Sequence, residues 1–257
     1  MEIAEHIDAL RLQGDLLAAA AERSGLDAPV PPCPSWQVKD LLRHTGYVHR
    51  WAARHIAECP ETVLDGPEEA DILRGGAPDP DLLAWFRAGH AALVETLTTA
   101  DPGLVCATFI DAPSSLAFWS RRQAHETAIH RADADSASGV LPEYEPGFAA
   151  DGIDELIMGF GQRRKYRPAA SDGGLRVQAT DTGHAWYVGT EGGRLQARRE
   201  LPGSDPAGPA ACTVTGPASG VYLFLWNRSN AALSSVTIDG DPGFLKLWQS
   251  SVRVRWS

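Results

Sequence analysis

The chain has 257 residues, above the roughly 100–200 of a typical single domain, so two domains are the default reading. It is 44% hydrophobic and 22% charged and carries eight Trp, the balance of a soluble globular protein and not of a disordered or fibrous one. Acidic residues outnumber basic ones 33 to 23 for a formal charge of -10, and no Lys/Arg-rich stripe is visible, which argues against a nucleic-acid partner.

The N-terminal stretch Met1–Leu10 carries Glu2, Glu5 and Asp8 and has no basic start followed by an apolar run, so no secretion signal is expected. Nothing approaches the about 18 consecutive apolar residues of a membrane span, and the expected location is the cytoplasm. Ile3, Ile7, Leu10, Leu17 and Ala21 form the stripe of a first helix, ended by Gly25 and the prolines after it. A second helix is expected to open at Ser35 as N-cap and to run through Val38, Leu41, Val48 and Trp51. The third follows Asp79-Pro80, where Asp caps and Pro suits the first turn, and carries Leu83, Phe86, Leu93 and Leu97. The fourth spans roughly Ser114–Asp135, and the fifth about Gly147–Arg164 with Ile153, Leu156, Ile157 and Phe160. Amphipathic helices joined by loops read as a bundle. Arg163-Arg164-Lys165, the densest basic cluster, reads as a solvated helix end.

After Pro168 the texture changes to short runs of strand formers between glycine-rich turns. Leu175–Thr180, Ala185–Val188, Arg194–Arg198 and Cys212–Thr215 read as strands, separated at Asp181-Thr182-Gly183 and Glu191-Gly192-Gly193 by turns. Helices from Ala218 to Trp226 and from Pro242 to Trp248 flank a strand at Val236–Ile238. The expected architecture is a mixed two-domain one, a helical bundle over residues 1–168 and a small α+β domain over 169–257, with the boundary in the Pro, Ser, Asp and Gly cluster of Arg167–Gly174. Cys33, Cys59, Cys106 and Cys212 are scattered without a CxxC pair, which suggests reduced thiols, each a small buried hydrophobe.

On the fourth helix Trp119, Arg122, Glu126, His130 and Asp133 fall at spacings of three and four and share one face. Small apolar residues, Ala117, Ala124, Ala128, Ile129 and Ala132, lie around it and suit close packing. A polar stripe turned inward needs partners, and a cation between Glu126 and His130 is one way to supply them; a stripe turned outward merely solubilises the helix. His44 lies three residues after Leu41 and four before Val48, on the core-facing stripe of the second helix, where a histidine is either a hydrogen-bonded core residue or a ligand. Two histidines and a carboxylate from two helices make a three-ligand metal site with an open position. His90 occupies the inner stripe of the third helix and competes with His44 on spacing, while His49, His55 and His125 fall elsewhere on their helices.

The segment Cys33–His44 resembles the C-P-x-W-x-V-x-D-L-x-x-H signature of the mycothiol-dependent maleylpyruvate isomerase family, a branch of the DinB-like helical bundles. Arg122–Asp133 similarly resembles its R-x-x-E-x-x-x-H-R-x-D motif. The resemblance implies an N-terminal DinB-like up-down bundle whose His44, Glu126 and His130 bind a divalent metal, typically zinc, with Trp36 and Asp40 fixing the helix start and packing. It also implies a sterol-carrier-like C-terminal domain, on Gly216-Pro217-Ala218-Ser219-Gly220, Leu225-Trp226-Asn227-Arg228 and Asp239-Gly240-Asp241. Two positions depart from its pattern: Asn227 stands where Gly is usual and Gly220 where Asp is common. Arg228 is the candidate for holding a substrate carboxylate, or else a helix C-terminal charge.

The implied chemistry uses mycothiol, the low-molecular-weight thiol of actinobacteria, as co-substrate with a small electrophile. A divalent cation favours thiolate over thiol at neutral pH. Such a thiolate adds to an activated double bond and leaves after rotation, an isomerase, or attacks an electrophile and stays, an S-transferase. The alternatives are a metal-dependent hydrolase, with Asp133 as its base, and a non-catalytic metal or small-molecule binding module.

Overall fold

A computed structural model describes residues 1–64, 77–163, 173–192, 194–201, 208–228 and 235–252. They form two compact units, Met1–Pro142 and Glu143–Ser257.

Among its described residues the first unit has four α-helices: α1 (Ile3–Ser24), α2 (Val38–Glu58), α3 (Leu82–Thr99) and α4 (Ser115–Ser136). α1 packs on α4 and α3, and α2 packs on the same two, so the order around the bundle is α1, α3, α2, α4. Leu17, Leu41, Leu42, Leu82 and Phe86 meet in the core, all fully buried. Arg50 of α2 lies 3.8 Å over the ring of Trp85 in α3 and donates to the Gly46 and Trp85 carbonyls at 2.9 and 2.7 Å. α3 is preceded by a 3-10 turn, Asp79–Asp81, that holds the expected Pro80 in its first turn, but Asp79 does not cap: the N-cap of the turn is Pro78 and that of α3 is Asp81, neither with a side-chain cap hydrogen bond.

α2 opens two residues later than Ser35. Its N-cap is Gln37, whose N–H donates to the Asp40 carboxylate at 2.9 Å in a capping box. The cause lies in the preceding loop: Gln37 is bridged to Pro29, Val30 N–H donates to the Trp36 carbonyl at 3.0 Å, and Ser35 stands in the turn between them, so the helix opens only after it. α4 begins where expected, and Ser114 is its N-cap, accepting from Ala117 N–H at 3.1 Å. Of the cysteines, Cys106 and Cys212 are buried and Cys33 is half-buried, but Cys59 is exposed, in the left-handed region at the end of α2.

The second unit begins with α5 (Pro146–Asp154), which continues into a π-helical turn (Glu155–Gly159) and a 3-10 turn (Phe160–Gln162). This fifth helix was expected in the bundle; it packs instead in the second unit, against α6 (Ala218–Leu225). Its stripe is buried there: Trp226 stands edge-on to Phe160 at 5.8 Å, and Asp154 accepts from Trp186 Nε1 at 3.0 Å and from Arg199 at 2.6 and 2.7 Å. The sheet has the order β3-β2-β1-β4-β5, with β1 (Leu175–Ala179), β2 (Ala185–Glu191), β3 (Arg194–Glu200), β4 (Cys212–Gly216) and β5 (Thr237–Gly240). β1 and β4 run parallel and the other pairs antiparallel. α6 leads from β4 toward β5, and α7 (Pro242–Ser251) packs on β4. The expected pairing of a helical bundle with an α+β unit therefore holds. Most of the expected boundary segment Arg167–Gly174, together with Arg164, Lys165 and Gly193, lies outside the described residues. No described helix is long and apolar enough to cross a membrane.

Close approach of α1 to α3 rests on Gly14, where a Cβ falls 2.2 Å from Nε2 of the buried His90 ring. Gly14→Ala gains about 1 kcal/mol of helix propensity but must displace that ring. Moving the ring costs about 1–3 kcal/mol of overpacking and about 1 more for the broken His90–Leu10 hydrogen bond, so the net result expected in thermal or denaturant unfolding is a loss of roughly 1–3 kcal/mol, and an unchanged midpoint contradicts this packing.

Candidate metal centre

α4 is polar for a buried helix. Trp119, Arg122, Glu126, His130 and Asp133 are all buried, so the stripe defined by the spacing faces inward. Ala124, Ala128 and Ala132 are buried beside it and let α1 and α2 pack close.

Glu126 is the hub. Its Oε1 lies 3.1 Å from His130 Nε2 and 3.6 Å from His44 Nε2, while its Oε2 accepts from Arg122 Nη2 at 3.2 Å. The His44 and His130 rings are 4.9 Å apart and nearly perpendicular. One donor atom from each of His44, Glu126 and His130 falls within 4.8 Å of the others. On the far side of the His130 ring, Nδ1 meets Asp133 Oδ2 at 2.9 Å.

Burial pushes the Glu126 carboxyl up, but hydrogen bonds from His130 and His44 and the Arg122 charge outweigh it and hold the group well below the usual carboxylate range. Burial likewise lowers His130, and is outweighed by a carboxylate at each ring nitrogen, Asp133 and Glu126, so its pKa rises to about 9. His44 is lowered, chiefly by burial.

This donor set could hold a divalent cation. Ligand atoms about 2.0–2.1 Å from a tetrahedral ion stand about 3.3 Å from one another, and the separations of 3.1 and 3.6 Å bracket that value. Asp133 serves the arrangement from behind, since a carboxylate at Nδ1 fixes the tautomer that offers Nε2 outward. That placement corrects the alternative of Asp133 as a hydrolytic base: its side chain is fully buried and engaged with the His130 ring.

The competing histidines have other partners. His90 meets the Leu10 carbonyl at 3.0 Å and is not part of this group. His49 meets Thr127 Oγ1 at 2.9 Å, and His55 meets the Trp51 carbonyl at 2.8 Å and the Leu64 N–H at 2.9 Å. His49, His55 and His125, expected off the inner stripe, are nonetheless fully buried, because α2 and α4 are covered on more than one side. The indole of Trp36, expected to serve helix start and packing, also stands 5.0 Å from the His44 ring and 6.4 Å from the His130 ring. Asp40 does fix the helix start.

Arg228 lies in the second unit just after α6, its N–H donating to the Leu223 carbonyl and its Nη1 to the Trp226 carbonyl, each at 2.8 Å. Both departures from the expected motif have local causes. Asn227 has φ +63°, a conformation that Gly adopts freely and Asn tolerates better than most. A Cβ at Gly220 falls 2.3 Å from Ser235 Oγ, so a side chain there must turn that hydroxyl aside.

A family model described as "Mycothiol maleylpyruvate isomerase N-terminal domain" matches residues 7–135, and one described as "MDMPI C-terminal domain" matches residues 147–246. No curated protein matches the chain. Among solved structures the chain is similar to the crystal structure of the mycothiol-dependent maleylpyruvate isomerase, with TM-score 0.59, 14% identity and 93% of each chain covered. It is similar too to that of a histidine-to-alanine mutant of the isomerase, with TM-score 0.62 at the same identity and coverage. At that identity the likeness speaks for the fold alone.

Two outcomes are expected. His44→Ala, Glu126→Ala and His130→Ala each abolish stoichiometric metal in elemental analysis, Asp133→Asn weakens metal binding about 10–100-fold, and His90→Ala keeps it; metal retained by the His44 variant refutes the ligand set. In metal-free protein His130, raised from 6.5 to about 9, adds stability that is complete below pH 6.5 and lost as pH rises through 9. His49 and His90, lowered by burial, add stability that is complete above pH 6.5 and lost as pH falls through their folded values. Melting temperatures taken in chelator across pH should therefore peak near pH 6.5, and His130→Gln should flatten the alkaline side; an alkaline decline unchanged in that variant contradicts the assignment.

Proposed function

The chain belongs to the mycothiol maleylpyruvate isomerase family, and on that premise we propose that it is a zinc-dependent enzyme using mycothiol on a small electrophile. The observation that carries the reading is the convergence of His44, Glu126 and His130 at one buried point with the spacing of metal ligands.

A divalent cation held there supplies thiolate at neutral pH, where a free thiol is mostly protonated. The chain's own residues divide the remaining work. Arg122 holds the Glu126 carboxylate charged, and Asp133 holds the His130 ring in one orientation. His44, with 14% of its side chain exposed against 4% for Glu126, borders the side open to incoming molecules. Arg228 is assigned to the substrate's carboxylate, since a guanidinium pairs with a planar carboxylate bidentately. This thiol chemistry belongs in a reducing actinobacterial cytoplasm, in keeping with scattered cysteines.

The electrophile is a compound with a double bond conjugated to a carbonyl. Thiolate adds to the far carbon and the electron pair moves onto the carbonyl oxygen as an enolate; the bond that was double becomes single and rotates, and collapse of the enolate restores the double bond and expels the thiolate. That sequence is isomerisation, the reaction for which the similar solved enzyme is named. If elimination does not follow, a proton from water completes the thioether, and the reaction is an S-transfer.

The test is consumption of a conjugated cis-enoate by zinc-loaded protein with and without mycothiol. Turnover that needs both thiol and metal supports the reading, and consumption without thiol contradicts it. Arg228→Ala should raise KM about tenfold or more for carboxylate substrates with zinc content unchanged, as loss of a charge-assisted pair predicts. An unaltered KM removes the role proposed for Arg228.

A further inference from the structure

Trp36 is held at both of its peptide groups. Its N–H donates to the Cys33 carbonyl at 2.8 Å, and its own carbonyl accepts from Val30 N–H at 3.0 Å. The backbone thus presents the indole in a set place. Part of the ring packs on the apolar cluster of Leu17, Leu41 and Phe86. The ring also faces the metal centre, tilted 53° to His44 at 5.0 Å and within 26° of parallel to His130 at 6.4 Å. Trp36 is only half-buried, and so is His44 beside it, whereas Glu126, Arg122 and Asp133 are closed to solvent. The side of the centre that water reaches is therefore bounded by His44 and the indole.

We propose that the Trp36 indole is a wall of the substrate pocket at this centre and selects flat, conjugated carboxylates over saturated ones of the same length. The warrant is the physics of a rigid aromatic face. A ring whose backbone is anchored and whose face is packed on the apolar cluster and beside two histidines costs little further ordering when a ligand lies on it. Its negative face and positive edge favour an offset, parallel π-system beyond what area burial supplies. A puckered methylene chain offers neither planarity nor a matching quadrupole. The proposal rests on the thiol-enzyme reading for its link to turnover, because an electrophile open to thiol addition carries its double bond in the plane of its carbonyl. Its binding consequence stands apart from that reading.

The experiment titrates zinc-loaded, full-length protein with sorbate and with hexanoate, six-carbon carboxylates that differ in their two conjugated double bonds, by calorimetry. Wild type is expected to bind sorbate roughly fivefold or more tightly than hexanoate, the size of one aromatic stacking contact. Trp36→Phe keeps most of that preference, and Trp36→Leu brings the two ligands within about twofold at unchanged zinc content. Equal affinities in wild type, or a preference that survives in Trp36→Leu, overturn the proposal. Zinc lost from both variants overturns it as well, since the indole is then a support for the ligands and not a wall for the substrate. A preference that depends on Trp36 in protein that consumes no electrophile with mycothiol leaves this inference standing and removes the thiol reading.

Discussion

A carboxylate in the middle of a helical bundle has to be met by positive charge, and Glu126 imposes that requirement on everything near it. Unpaired, a buried carboxylate is among the costliest groups a protein can hold. Here one oxygen faces the fully buried Arg122 guanidinium and the other faces two imidazoles, His130 at 3.1 Å and His44 at 3.6 Å. His130 in turn leans on Asp133, so two carboxylates are met by one guanidinium and one imidazolium. An arrangement of this kind is poor material for stability, because well-packed apolar side chains serve a core at least as well. Its value lies in three donor atoms held ready at one point.

The bundle is built to bring that point about. α4 supplies Glu126 and His130 one turn apart, and α2, packed on α4, supplies His44. Placing charged residues inside demands that the helices come close, which the alanines of α4 and glycines such as Gly14 permit. The loop before α2 contributes more than a connection. Its bridge from Pro29 to Gln37 sets the start of α2 and at the same time aims Trp36 at the two histidines.

Much of this was legible in the sequence where the signal is periodic. The spacing of Trp119, Arg122, Glu126, His130 and Asp133 defined one face of α4, and the position of His44 among Leu41 and Val48 marked it as inward. Periodicity says that a stripe is buried, and not against what. That is why the fifth helix was assigned to the bundle although its stripe packs beside Trp226 and Trp186 in the second unit. For the same reason spacing left His90 level with His44; only the motif resemblance separated them, and the hydrogen bond from His90 to Leu10 explains the difference physically. His49 and His55 read as off-stripe because burial of a polar ring depends on partners distant in sequence, here Thr127 for His49. The start of α2 falls two residues past Ser35 because the loop closes on itself from Pro29 to Gln37, a pairing that capping preference at one position does not report. Asn227 looked like a departure from its motif and proves to keep the backbone that a glycine there would adopt.

Thiol chemistry at this centre requires a metal among these three residues with room for a sulfur ligand. X-ray absorption at the zinc edge of zinc-loaded protein, before and after mycothiol, asks this directly. The expected result is a first shell of nitrogen and oxygen at about 2.0–2.1 Å that gains one sulfur at about 2.3 Å when the thiol is added. A shell that already contains protein sulfur, or one that mycothiol leaves unchanged, contradicts it.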